Sequence, residues 1–338
     1  MISTRFPMFL TVIVILAGCV SEKNSTENSG LMGPYLGQSV PADTAELFAE
    51  SIVSTPLYAR DITFTPDGKE IYFCVSAMGF NLIYMAKEVS GVWSDPQLAS
   101  FITNTDYMFY EPHITPDGNR LLFLSNMPED DDSPATEDIW AVDRQGDGWG
   151  EAYNLGAPVN TEGSEFYPST TRDGTLYFTR AEKGSRTNEI FRSRLVNGTY
   201  AEPEKLGPEI NIGTNRYNAF IDPQERFMII PAVGLEDSRG GTDYYISFRN
   251  DDDTWSQAVN MGDRINSENG REFSSSLSPD GEYLFFMSAR AGENRSPEIA
   301  ELQKNFASPL NGNSNIYWIS SDFIWGLKPQ DGQGGSKH

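Results

Sequence analysis

Histidine and cysteine are nearly missing from this 338-residue chain, with two of each. One histidine is the terminal residue His338, so His113 stands alone in the body of the protein. A histidine-cluster zinc or manganese site is excluded by that count, and a Ser-His-Asp hydrolase would have to use His113. No Gly-x-Ser-x-Gly elbow accompanies it. Two cysteines build no disulfide framework. Cys74 lies in the apolar run at 71–75 and reads as a small buried hydrophobe. Basic residues are scarce as well: 25 Lys and Arg against 48 Asp and Glu, a net charge of −23. Such a surface repels nucleic acid and bare anionic membrane and suits solubility, cations or a basic partner. The acidic runs at 129–132 and 251–253 lack the alternate-residue ligands and central glycine of a calcium loop, and read as solvated loops. The glycine-rich stretch 234–241 lacks a phosphate-binding pattern. No metal site and no cofactor are expected.

Glycine (30) and proline (20) are plentiful, hydrophobic residues make up 38% and aromatics 12%. That is enough apolar material for a sizeable core interrupted by many tight turns. One phrase recurs: an apolar strand, a Pro-Asp-Gly turn, a second apolar strand. Its copies centre on Pro66-Asp67-Gly68, Pro116-Asp117-Gly118, Arg172-Asp173-Gly174, Pro223-Gln224-Glu225 and Pro279-Asp280-Gly281. The turn position recurs at 67, 117, 173, 224 and 280, at intervals of 50, 56, 51 and 56 residues, the size of one four-stranded propeller blade. Proline presets φ, aspartate bonds its own backbone, and glycine takes the positive φ that closes the hairpin. With Gln224-Glu225 in place of Asp-Gly, the fourth turn is expected to be looser or differently shaped.

A third strand follows each copy, as in Leu82-Ile83-Tyr84 and Asp138-Ile139-Trp140, and an aromatic-led fourth segment follows four copies, opening on Trp93, Trp149, Tyr200 and Trp255. The fifth copy lacks this tail, whereas residues 46–53 precede the first copy much as residues 97–103 precede the second. The pattern therefore predicts an all-β, five-bladed β-propeller of four-stranded blades, with the N-terminal strand closing the last blade and leaving no free sheet edge. A sixth blade from residues 31–58 is the alternative, though short of sequence.

These phrases resemble the WD-like repeat of TolB-like β-propellers, marked by a Ser-Pro-Asp-Gly-x-x-Leu-x-Phe core, over roughly residues 45–327. The resemblance implies a central channel and use as a protein-binding or scaffold module, in a family whose best-known members are commonly six-bladed. At the N-terminus, Arg5 precedes an uncharged apolar stretch at 6–17 that is shorter than the ~20 residues of a membrane span. It ends in Leu16-Ala17-Gly18-Cys19, which resembles the lipobox of bacterial lipoproteins. That resemblance implies a signal peptide at 1–18, a lipidated Cys19 and a membrane anchor. Val20, where aspartate would signal inner-membrane retention, points to the outer membrane. Residues 19–33, polar and rich in Ser, Asn and Gly, read as a flexible tether. The propeller is expected over 34–328 and a disordered tail over 329–338.

Propellers bind at channel mouths, so residues at fixed offsets before each turn are the candidates. Six places before it stand Asp61, Glu111, Tyr167, Asn218 and Ser274; seven places before it stand Arg60, Tyr110, Phe166, Tyr217 and Phe273; one further back come Glu165, Arg216 and Glu272. The ligand-binding candidates at the mouth where the inner strands begin are Arg60, Asp61, Tyr110, Glu111, His113, Glu165, Tyr167, Arg216, Asn218 and Glu272. The competing account is that repeat-locked residues staple blades together. No residue carries a catalytic signature. The reading is a non-catalytic, envelope-tethered binding or scaffold module acting as a monomer, with an envelope protein or small polar ligand as partner. The alternative is a carbohydrate hydrolase using Asp61, Glu111, Glu165 or Glu272 as acid and base, which needs two carboxyls roughly 5–9.5 Å apart.

Overall fold

The structure is a computed structural model and describes residues 31–129, 135–268, 270–292 and 296–329. The signal segment, Cys19, the tether up to residue 30 and the tail from 330 lie outside the described residues. Five antiparallel sheets form five blades. Blade 1 comprises Tyr58–Phe64, Glu70–Ala77, Phe80–Val89 and Gln97–Leu98. Blade 2 comprises Phe109–Ile114, Arg120–Ser125, Asp138–Gln145 and Tyr153–Asn154. Blade 3 comprises Ser164–Thr170, Leu176–Ala181, Glu189–Ser193 and Glu204–Lys205. In blade 4 the inner strand is split into Asn215–Arg216 and Phe220–Ile221, followed by Phe227–Val233, Asp243–Phe248 and Val259–Asn260. Blade 5 comprises Glu272–Leu277, Tyr283–Ser288 and Asn315–Ser320.

The chain closes as the repeat predicts. Glu46–Leu47 pairs antiparallel with the outer strand of blade 5, Glu46 opposite Trp318 and Leu47 opposite Tyr317. The pairing is shorter than the predicted 46–53. The Phe48 N–H still donates to the Ile316 carbonyl (2.9 Å), residues 49–54 then turn away, and Phe48 and Val53 fill the seam between blades 5 and 1. The sixth-blade alternative is excluded, because residues 31–58 build closure and linker rather than a sheet of their own. The end of the expected tether is also tied down. Trp93 donates its indole N–H to the Gly33 carbonyl (2.9 Å) and its backbone N–H to Leu31 (2.9 Å), so residues 31–33 dock on blade 1.

The second strand of each blade carries consecutive apolar residues (71–75, 121–124, 176–178, 227–230 and 284–287) because each sheet is covered on both faces, and pleating sends alternate side chains to opposite seams. Ile71 and Phe73 enter the seam with blade 5, while Tyr72 and Cys74 enter the seam with blade 2. Leu121 and Phe123 face blade 1, and Leu122 faces blade 3. Tyr177 faces blade 4, Phe227 and Ile229 face blade 5, and Phe285 returns to blade 1. The core is thus five wedges, one per seam, and every blade depends on both neighbours.

The five turns share one geometry. In each, the N–H of the third turn residue donates to the carbonyl three places earlier: Gly68 to Thr65, Gly118 to Thr115, Gly174 to Thr171, Glu225 to Asp222 and Gly281 to Ser278, at 2.7–3.0 Å. The fourth turn is therefore not looser. Glu225 adopts φ +59 where the other copies use glycine. It is held by its carboxylate, which accepts the Tyr177 hydroxyl and lies 3.5 Å from Arg249. The run at 251–253 is not wholly solvated either, since Asp253 receives Arg192 (3.1 Å), Arg194 (3.2 Å) and Arg249 at the seam of blades 3 and 4.

Candidate functional site

The inner strands carry an unusual repeat. Asp61, Glu111, Tyr167, Asn218 and Ser274 all have positive φ, between 52° and 69°. Left-handed backbone is rare for non-glycine residues and costs of order 1 kcal/mol or more each. In blades 1, 2, 3 and 5 the pairing register shifts at this place, and in blade 4 the strand is interrupted there. This is a β-bulge used five times, which re-aims one side chain per blade.

The re-aimed side chains converge. Asn218 Nδ2 of blade 4 donates to Glu111 Oε1 of blade 2 (3.2 Å) and to Ser274 Oγ of blade 5 (3.0 Å). The Tyr167 hydroxyl of blade 3 donates to the Ser275 carbonyl of blade 5 (2.9 Å). Side chains of non-adjacent blades in a five-membered ring meet only at its axis, so these residues form a plug across the channel. Arg60 completes it. Its Nη2 lies 2.7 Å from Glu111 Oε1 and its Nε lies 2.6 Å from Asp61 Oδ2. The guanidinium also stacks on Tyr110 and Phe273, 5.1 and 4.8 Å from the ring centroids. The Arg60–Asp61 contact is one of charge rather than direction, for neither Asp61 oxygen nor Arg60 Nε has an aligned hydrogen-bond partner. Burial pushes the Glu111 carboxyl up to about 7 against the pull of Arg60. The buried Cys74 thiol, raised by burial, receives the Glu111 N–H at 3.3 Å.

Glu165, Arg216 and Glu272 do not join this plug. Glu165 pairs with Arg180 (2.7 Å) and accepts the Thr161 hydroxyl. Arg216 reaches Glu189 (3.2 Å) and the carbonyls of Asn188, Ile212 and Gly213, stapling blade 4 to blade 3. Glu272 accepts from Ser267 (2.6 Å) and Ser288 (2.8 Å), and burial raises its pKa. Tyr110 bonds Ser76 (3.0 Å) and Asn81.

His113 sits two residues beyond the bulge and faces the other way along the channel. There, at the mouth ringed by the five turns, lies a cavity of about 150 Å³ with walls from every blade. The mouth expected to bind is plugged and the opposite one is open; of the ten candidates only His113 lines the cavity. Its Nε2 accepts the Thr170 N–H (2.9 Å), which leaves the ring proton on Nδ1. Burial lowers its pKa to about 4, so the imidazole is neutral.

Sequence reasoning missed Arg172 and Gln224 on the same rim, though a signal was present. Arg172 replaces the turn proline kept in the other four copies, and Gln224 replaces the aspartate. The Arg172 N–H donates to the Pro223 carbonyl (2.8 Å) and draws these two turns together. It also missed Asn160, Asn211 and Asn266, each of which bonds both the N–H and the C=O of one residue (Ile139, Ile190 or Tyr244) in the preceding blade, at 2.7–3.2 Å.

No protein-family model matches the chain, and no curated protein matches it in sequence. Among solved structures it is similar to TolB from Acinetobacter baumannii, at 15% identity and TM-score 0.43, covering 79% of this chain and 55% of that one. It is similar to a protein assigned as TolB from Agrobacterium tumefaciens, at 14% identity and TM-score 0.46, covering 79% and 91%. A puromycin hydrolase shows 10% identity and TM-score 0.41, covering 72% and 35%. The chain thus spans about half the length of the Acinetobacter TolB.

Proposed function

We propose that this chain is a non-catalytic binding module of the bacterial envelope that engages its ligand or partner at the turn-side mouth of the propeller. The observation that carries this reading is the division of the channel: a buried polar plug on one side and an open cavity on the other. Buried plugs stiffen a scaffold, and a concave site with a few polar groups is the usual form of a binding site. The hydrolase alternative loses its support. Asp61, Glu111 and Glu165 are each in contact with an arginine, Glu272 is held by two serines, and all four are at most 5% exposed. Buried to that extent, none of the four carboxyls is presented to a glycosidic bond at the surface.

The tethering belongs to the same proposal. It rests on Leu16-Ala17-Gly18-Cys19 and places the propeller on a lipid anchor, at the outer membrane by the Val20 rule. Labelled fatty acid fed to cells should enter the protein and be lost in Cys19→Ala. The binding reading is tested by cross-linking in envelope extracts: a partner captured by the intact protein should disappear when Gln224→Trp fills the mouth. Hydrolysis of a glycoside panel, abolished by Glu111→Gln, would overturn it.

A further inference from the structure

Repeat-locked positions serve the repeat, so departures from it are where this molecule differs from a bare scaffold. Several departures fall on one cavity; blade 4 contributes Phe220 and Asp222, where other copies have Thr or Ser, and three more carry hydrogen-bond donors. At the turn proline, blade 3 has Arg172. At the turn aspartate, blade 4 has Gln224. Four places before the turn aspartate, where blades 1, 3 and 5 have Thr63, Ser169 and Ser276, blade 2 has His113. The three come from consecutive blades and line one arc of the mouth.

Each carries a donor, and Arg172 and Gln224 are exposed at the rim. No carboxylate is paired with the Arg172 guanidinium, and no acceptor is bonded to the His113 Nδ1 proton or the Gln224 amide, among the described residues. The acidic groups nearby are already engaged. Asp222 takes both arms of Arg226 at 2.7 Å, and Asp280 is held by the Ser278 hydroxyl and the Tyr35 hydroxyl (3.1 Å). In a protein of net charge −23, the cavity lining is locally neutral, Arg172 and Arg226 against Asp222 and Asp280, and Arg172 is the arginine of that wall with no carboxylate partner among the described residues. Guanidinium paired with carboxylate is the geometry that uses such a fork fully.

We infer that the turn-side cavity binds a carboxylate group, with Arg172 as its ion-pair partner and the His113 Nδ1–H and the Gln224 amide as its hydrogen-bond donors. This rests on the turn-side mouth being the binding surface and adds the chemistry of the ligand. A cavity of about 150 Å³ admits a carboxylate and a short stretch of carbon, which fits a small organic acid or the C-terminus of a peptide.

The test is calorimetric titration of the mature protein at pH 7 and low salt with succinate, with succinamide as the uncharged isostere, and with a short peptide as free acid and as C-terminal amide. At least one acid should bind ten times or more tighter than its amide. Binding by succinate assigns a small acid, and binding only by the peptide acid assigns a chain terminus. Arg172→Gln should bring acid and amide within about twofold, and His113→Asn should weaken the acid alone by about three- to tenfold. Circular dichroism checks that both variants fold; Arg172 is an exposed turn residue, whereas His113 also accepts the Thr170 N–H of blade 3, so its variant is read only if the melting curve stays cooperative. Equal binding of acid and amide, a preference that survives Arg172→Gln, or no heat from any probe up to 10 mM overturns the inference. If an amide binds and Gln224→Trp abolishes it, the mouth stands and only the carboxylate falls. If binding survives Gln224→Trp, the mouth falls too.

Discussion

Arg60 Nη2 lies 2.7 Å from Glu111 Oε1, joining blade 1 to blade 2 at the axis while the same guanidinium faces Asp61. One cation therefore compensates two buried carboxyls. Removing it strands them. Arg60→Met should lower stability by about 3–5 kcal/mol, the usual loss on breaking a buried ion pair from one side. Glu111→Gln, which keeps the shape and much of the hydrogen bonding, should lose about 1 kcal/mol or less. Urea midpoints at pH 7 measure both.

The two titrating groups of the inner strand of blade 2 oppose each other. Glu111, raised from 4.5 to about 7, contributes most below pH 4.5, and that contribution is lost as pH rises through 7. His113, lowered from 6.5 to about 4, contributes fully above pH 6.5 and loses it as pH falls through 4. Stability curves between pH 4 and 8 should separate them. The stability difference between Glu111→Gln and the native chain should shift in the variant's favour as pH rises, so that its small loss at pH 7 is larger at pH 4. The gain of His113→Asn should grow with falling pH, reaching at most about 3 kcal/mol. Parallel curves for native chain and variants would refute both assignments.

Closure by the N-terminal segment should dominate global stability. Phe48 is fully buried against Phe285 and Trp318, with centroids at 4.9 and 5.3 Å. Phe48→Ala should therefore lose about 3–5 kcal/mol. A chain beginning at residue 54 should melt far below the intact one, whereas deletion of 21–30 should leave the melting temperature roughly unchanged. Differential scanning calorimetry decides between these outcomes.

Glu225 holds a left-handed backbone that glycine would adopt freely. In the native chain its bond from Tyr177 offsets that strain, so Glu225→Gly should be within about 1 kcal/mol of neutral. In a Tyr177→Phe background the bond is gone, and the same change should stabilise by about 1 kcal/mol. The double-mutant cycle reads the coupling directly.

Much of the architecture could be read from residues alone. Runs such as 71–75 and 227–230 are apolar at consecutive positions, which a strand permits only when both faces are covered. Their spacing counted the blades, and the missing tail of the fifth copy located the closing strand, though not its length. The fourth turn was misread because Glu225 breaks a rule that its partners allow it to break, Tyr177 on the second strand of blade 3 and Arg249 just past the third strand of blade 4.

The polar residues were a different matter. Sequence aligned Asp61, Glu111, Tyr167 and Asn218 as equivalents, and they do meet; it aligned Glu165, Arg216 and Glu272 the same way, and they do not. The difference lies in a left-handed bulge that turns one position inward and leaves its neighbours in the seams, and bulges have no residue signature when Asp, Glu, Tyr, Asn and Ser all occupy them. Local periodicity, set by the pleat and the turn, thus determined what repeats and how often. Which mouth is closed and which is open depended on contacts between side chains 51 to 214 residues apart, such as Arg60 with Glu111 and with Ser274. Only the closed ring brings those together, because a channel has no inside until its last blade is completed.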